Sequence, residues 1–329
     1  MNTSKDAWHA VALSREVRTK PVRILHEGEP VVLFRGKSGI AALVDRCPHR
    51  RVELSKGRVV QGDIECPYHG WRFGGDGQCS AIPGHLGDVP RYRVKRYQAL
   101  EQDGAIFISN GTPDAPPYVH CMIGQKIALR HVHSSSASTL IDAAENILDV
   151  AHTHFTHKGL LRGFSAKRYN VDVTITGGKD WVEACYTGED RQDGLISRLL
   201  DGERTKTIGR FRSPGIVELE YWGPKEMTIA TAFHLNTADV ETVNGVGWIM
   251  APDHGVITWA KSLLFKPMMH FALAQDQRVL KSAQNNARFA PDSKIINGPL
   301  DFLRTDMELI LAGERPTAAD APRHHTIEL

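Results

Sequence analysis

A chain of 329 residues with 40 Lys and Arg against 38 Asp and Glu has a formal net charge of +2, which offers no electrostatic case for nucleic acid or an anionic membrane. Apolar residues at 41% and charged residues at 24% exclude disordered and fibrous classes, and the length suggests two globular domains. Residues 1–10 are polar and lack the apolar core of a signal peptide, and no apolar run approaches the ~20 residues that span a bilayer. A cytoplasmic protein is expected, and its five cysteines, an odd set with no secretory signal, point to metal rather than a disulfide framework.

In chain order, 22–26 and 31–35 read as short strands joined by Glu27-Gly28-Glu29-Pro30, and 40–45 follows the turn Gly36-Lys37-Ser38-Gly39. Residues 105–109 are expected to close a small antiparallel sandwich or barrel. The segment 112–118, with three prolines, is the linker candidate and divides the chain into domains 1–115 and 116–329. Beyond it, 139–153 has helical character, without Gly or Pro. A β-rich middle follows, at 169–176, 181–187, 227–235 and 257–265. Helical patterns return at 271–286 and 300–312, and the tail after Gly313 is expected to be peripheral. The fold class is α+β: an N-terminal antiparallel β domain, then a domain of helices and antiparallel sheet.

The strongest chemical signal is Cys47-Pro48-His49, then sixteen residues, then Cys66-Pro67-Tyr68-His69-Gly70-Trp71. Two Cys and two His suit a zinc site or a two-iron cluster. Zinc fingers pair Cys with Cys and His with His on their knuckles, whereas each loop here supplies one of each. A Rieske cluster needs that supply, because two thiolates hold one iron and two imidazoles the other. Replacing thiolates by neutral imidazoles raises the potential from about −400 mV to between roughly −150 and +300 mV, so the cluster readily accepts electrons.

A second constellation is Asn146, Asp149, His152 and His157. On a helix the first three share one face, and His157 reaches the same metal only if the helix ends or bends, for which Gly159 is the signal.

On these two motifs the chain resembles the oxygenase component of Rieske non-haem iron oxygenases. One departure is Arg51, where many relatives have glycine. The resemblance implies a [2Fe–2S] cluster on Cys47, His49, Cys66 and His69, and one mononuclear Fe(II) on His152, His157 and a carboxylate. Asp276, in Gln275-Asp276-Gln277, stands where the family's late-helix carboxylate would, although many relatives have an acid in place of Gln275; Asp253, Asp301 and Asp306 are weaker rivals. Asp149 would bridge His152 to a Rieske His69 of a neighbouring subunit in a homotrimer, with Asn146 nearby.

The activity implied uses O2 and NAD(P)H-derived electrons, through a reductase or ferredoxin partner, to hydroxylate or oxidatively demethylate a small aromatic or cyclic substrate. Alternatives are a ring cis-dihydroxylating dioxygenase and, in a different class, a Rieske electron carrier without a catalytic iron. Pocket residues are expected between 162 and 259. Among residues with blander readings, Trp71 is a packing residue, Gly74 to Gly77 a turn, Cys79, Cys121 and Cys185 small hydrophobes, and His131 and His133 a strand alternation.

Overall fold

The computed structural model describes residues 6–160, 168–188, 204–290, 293 and 295–329, without the side chains of 256–262 and 264–266. The first third forms two antiparallel sheets. Six strands, β1 (His9–Leu13), β2 (Val22–His26), β3 (Glu29–Gly36), β4 (Gly39–Val44), β9 (Arg96–Gln102) and β10 (Ala105–Ser109), are ordered β1-β10-β9-β4-β3-β2. Four shorter ones, β5 (Arg58–Val60), β6 (Asp63–Glu65), β7 (Arg72–Phe73) and β8 (Cys79–Ala81), pair in sequence. The apolar runs alternate inward, so Val32, Leu33, Phe34, Leu43, Ile64 and Phe73 fill a core between the sheets. β10, the last strand of this part, joins β9 to the first strand: β1, an apolar run with no turn signal ahead of it, pairs outside β10 and takes the edge.

The second part is built on one antiparallel sheet of eight strands. These are β11 (Ile127–Ala137), β12 (Asn170–Gly177), β13 (Trp181–Thr187), β14 (Lys206–Arg212), β15 (Ile216–Trp222), β16 (Met227–Asp239), β17 (Thr242–Pro252) and β18 (Arg323–Glu328), ordered β11-β17-β16-β15-β14-β13-β12-β18. One face packs on helices α1 (Leu140–Leu148) and α3 (Arg304–Leu311) through Ala144, Leu148, Phe211, Val217, Phe233 and Met307. The other receives the first third of the chain: Ala230, Ala232, Trp248 and Met250 pack on Ala10, Leu13 and Phe107. Successive residues of β16 and β17 serve opposite faces, as the two-residue period of a strand requires. Among the described residues no helix is long and apolar enough to cross a membrane.

Three expectations are corrected. Residues 257–265 are not a strand but the first turns of a helix, α2 (Val256–Ala287). A short apolar run carries no period that separates strand from buried helix, and its Val, Ile and Thr start misleads. The tail is not peripheral: β18 pairs with β12, and Leu329 is buried in the core. The helix expected over 139–153 stops at Leu148, and Asp149 takes an extended ψ of 112°. There its carboxylate accepts the N–H groups of Ala151 at 2.7 Å and His152 at 3.2 Å, a local bond that competes with the helical ladder. Asn146, Asp149 and His152 therefore do not lie on one continuous helix face, and the chain has left the helix ten residues before Gly159.

Candidate metal centres

The first centre is formed by two loops with the same backbone pattern. Cys47 N–H donates to Val52 O and Arg51 N–H to Cys47 O; in the second loop Cys66 N–H donates to Trp71 O and Gly70 N–H to Cys66 O. The matched positions Arg51 and Gly70 both have positive φ, 61° and 72°. Only the second must be glycine, because a Cβ there would meet Pro83 Cγ at 2.9 Å.

These turns bring four donors together. Cys47 and Cys66 are buried, and burial, joined by the neighbouring Cys66, pushes the Cys47 thiol up to about 11. Such thiols are inert until a metal displaces their protons. The rings of His49 and His69 lie 4.7 Å apart, and buried His49 Nδ1 has no hydrogen-bond partner. Two thiols, two imidazoles and an orphaned ring nitrogen fit a two-iron cluster. Trp71 packs as expected: it lies against the first core, stacks on His49 at 4.6 Å and 6°, and is backed by Tyr92. His69 is exposed beneath Tyr68, whose ring lies 3.8 Å away.

The second centre gathers residues far apart in sequence. His152 lies in a 3-10 turn (His152–His154) after α1, His157 follows it, and Asp276 projects from α2. Ligand atoms of the three fall within 4.8 Å of one another. His157 Nε2 lies 3.0 Å and His152 Nε2 3.5 Å from Asp276 Oδ1, yet neither contact has hydrogen-bond direction, and His152 Nε2 and Asp276 Oδ1 remain buried and unpartnered. Orphaned atoms facing one point fit a cation held by all three residues.

The opposite ring nitrogens are committed. His152 Nδ1–H donates to the Asp149 carbonyl at 2.6 Å, and His157 Nδ1–H to Gln275 Oε1 at 2.9 Å. Those bonds aim both Nε2 atoms at Asp276. Burial opposes charge on His152, but hydrogen bonding to Asp149 and the closeness of Asp276 outweigh it and hold the imidazole up at about 9. A divalent cation would take over the role of that proton.

Of the rival carboxylates, Asp253 faces Lys126 and caps Gly255, Asp306 pairs with Arg323, and Asp301 bonds Gly298 N–H. None joins the histidines. Among the described residues Asn146, on α1, has no hydrogen bond to any of the three, and the spacing argument that selected it fails with the helix face. Sequence reasoning missed Gln275 as the acceptor for His157; its place beside Asp276 was the available signal. Of the expected pocket region, 162–167, 189–203 and the side chains of 256–259 lie outside the described residues.

Comparison with known proteins follows this division. Residues 7–98 match the Rieske [2Fe-2S] domain, and residues 139–307, more than half of the chain, match the vanillate O-demethylase oxygenase C-terminal domain. The oxygenase component of dicamba O-demethylase from Stenotrophomonas maltophilia is 32% identical over 190 residues, 54% of this chain and 55% of that protein. Aminopyrrolnitrin oxygenase PrnD of Pseudomonas fluorescens is 30% identical over 177 residues, 50% of this chain and 49% of its own length. These alignments span about half of the curated relatives they match. Dicamba monooxygenase bound to 3,6-dichlorosalicylic acid superposes with a TM-score of 0.81 at 21% identity, covering 95% of this chain and 97% of that one. The QL mutant of Pseudomonas putida CBB5 NdmA with theobromine gives 0.74 at 19% identity, covering 94% and 90%. At those identities the likeness is one of fold.

Proposed function

We propose a function for this chain from one premise: it belongs to the Rieske non-haem iron oxygenases. It acts as the oxygenase component of a multicomponent system, taking electrons from an NAD(P)H-linked reductase or ferredoxin and using O2 to hydroxylate or oxidatively demethylate a small cyclic substrate. The observation that carries this reading is the convergence of His152, His157 and Asp276, two imidazoles and a carboxylate on one point. That set leaves coordination positions open and suits Fe(II). An electron carrier would have no use for it.

In this reading Cys47 and Cys66 hold one iron of the cluster, and His49 and His69 the other. Iron held by His152, His157 and Asp276 would supply the reductive activation of dioxygen. The chain's own part is positional: the Asp149 carbonyl and Gln275 fix the two rings, and α2 fixes the carboxylate. Where the oxidised carbon bears oxygen or nitrogen, the resulting hemiacetal or hemiaminal collapses and demethylation follows. Relatives named as demethylases support that branch over ring dihydroxylation.

The wider assembly belongs to the same proposal. His69 is exposed and the Asp149 side chain is 36% exposed, which leaves both accessible to meet between copies of a cytoplasmic homotrimer. The irregular stretch around 110–126, between the two matched regions, is consistent with domains 1–115 and 116–329.

Metal and acid-labile sulfide analysis with EPR on anaerobically purified wild type and Asp276→Ala tests the assignment. About three irons and two sulfides per chain, falling to about two irons in the variant with the cluster signal intact, is the expected result. Two irons in both proteins after reconstitution would leave an electron carrier and overturn it. Product analysis then separates one inserted oxygen from two.

A further inference from the structure

Among the described residues a second group of metal-ligating side chains lies outside both centres. His9 sits on β1, His26 ends β2, and Glu27 begins the turn into β3. One ligand atom from each falls within 4.8 Å of the others, and the two rings stand 5.0 Å apart. His9 and His26 are only 9% and 3% exposed, whereas Glu27 is exposed. His26 Nδ1 is buried and has no hydrogen-bond partner, a condition folded proteins rarely tolerate.

We propose that His9, His26 and Glu27 form a binding site for a zinc-class divalent cation at the junction of the two domains. Two imidazole nitrogens and one carboxylate oxygen suit Zn2+, Co2+ or Ni2+ rather than Mg2+ or Ca2+, which take oxygen ligands. The buried imidazoles form the floor of the site, and exposed Glu27 leaves a route for entry and a position for water. Lys95, the nearby cation, is committed to Glu29 at 2.8 Å. Tyr97 stands edge-on to His26, with centroids 6.1 Å apart, and limits rotation of that ring.

The location gives the cation a task. Glu27 N–H donates to Thr237 O at 2.8 Å and Gly28 N–H to Ala238 O at 2.7 Å, so the ligand-bearing turn is also the hook that holds the first domain to β16. A cation shared by β1 and this turn would cross-link the hook to the strand beside it and strengthen the junction.

The test is equilibrium dialysis of the iron-replete protein against buffered micromolar Zn2+, reading zinc and iron per chain together with the melting temperature. The expected result is about one zinc per chain with no loss of iron and a raised melting temperature. Glu27→Gln, at an exposed position, should weaken zinc binding at least roughly tenfold, and His26→Asn should abolish it while the cluster's visible spectrum is unchanged. Absence of zinc from the wild type, zinc that replaces iron one for one, or equal zinc in wild type and both variants would each overturn the proposal.

Discussion

The Nδ1–H of His157 donates to the amide oxygen of Gln275 at 2.9 Å, and Gln275 immediately precedes Asp276. One stretch of α2 thus supplies a carboxylate to the candidate iron site and the acceptor that orients one of its imidazoles. An amide accepts that proton without adding negative charge, and the bond fixes the ring so that Nε2 faces Asp276. Gln275→Glu should strengthen iron retention, and Gln275→Leu should weaken it by about 10- to 100-fold. Iron lost to a chelator, followed against time with the cluster signal as internal reference, checks both. Equal retention in wild type and the Leu variant would remove Gln275 from the site.

The cluster motif was legible because its ligands sit within 23 residues and their loops are held by local backbone bonds. The candidate set of His152, His157 and Asp276 was legible only as a family pattern. Helical spacing gave the wrong local geometry, since the Asp149 carboxylate ends α1 by capturing Ala151 and His152 N–H groups. Strands 22–26, 105–109 and 181–187 alternate or end at turn residues and read correctly. β14 and β15 were not recognised, because half-buried Arg210 and buried Glu218 and Glu220 pair with one another in the sheet and break the apolar alternation. The docking of β18 on β12 depends on long-range pairing that no local signal encodes.

Asp149 has two separable duties. Its carboxylate caps the turn that carries His152, and its main-chain carbonyl orients the His152 ring. Asp149→Asn retains an acceptor oxygen for the cap and should keep both metal centres. Asp149→Ala should lose about 1 kcal/mol of local stability with the cap. Both variants should slow electron transfer to the mononuclear site if the carboxylate bridges the centres. Single-turnover oxidation of the reduced cluster reads that step; wild-type rates in both variants would leave Asp149 a turn-former only.

Arg304 ties the two helices together. Its buried side chain, 8% exposed, pairs with Asp142 at 2.9 Å and with Glu145 on α1, and with Glu308 at 3.1 Å on α3. Burial raises the Glu145 carboxyl and Arg304 pulls it back. Arg304→Met would leave two half-buried carboxylates facing each other, at a cost of about 2–3 kcal/mol. A fall in melting temperature of about 5–10 °C should follow, with partial recovery in Arg304→Met/Glu145→Gln. No recovery would place the effect in lost packing instead.

Glu16 reaches from the first domain to His133 on β11, its two oxygens 2.9 and 3.0 Å from Nδ1. Burial works against its charge, but the His133 contact, the Leu13 N–H and nearby Arg15 hold the carboxyl below its usual 4.5. A depressed carboxylate contributes stability that is present above 4.5 and lost as pH falls through the lowered value. With a third of the side chain exposed, that contribution is about 0.5 kcal/mol. Glu16→Gln should melt slightly below wild type at pH 7, and the gap should close as pH falls from 5 toward 3.5. A gap independent of pH would assign the effect to packing.

Arg51 occupies the backbone position that Gly70 fills in the matching loop, with φ at 61° and an exposed side chain. A left-handed conformation costs a non-glycine residue about 1–2 kcal/mol. Glycine removes that cost but adds about 0.4–1 kcal/mol of unfolded-chain entropy. Arg51→Gly should therefore leave stability unchanged or raise it by up to about 1 kcal/mol, with the same cluster spectrum. The loss of an exposed cation beside the cluster should show separately, as slower reduction by an acidic protein donor at low salt and an unchanged rate with a small neutral reductant. A destabilised Arg51→Gly protein would mean that the guanidinium holds the loop through contacts stronger than its backbone strain.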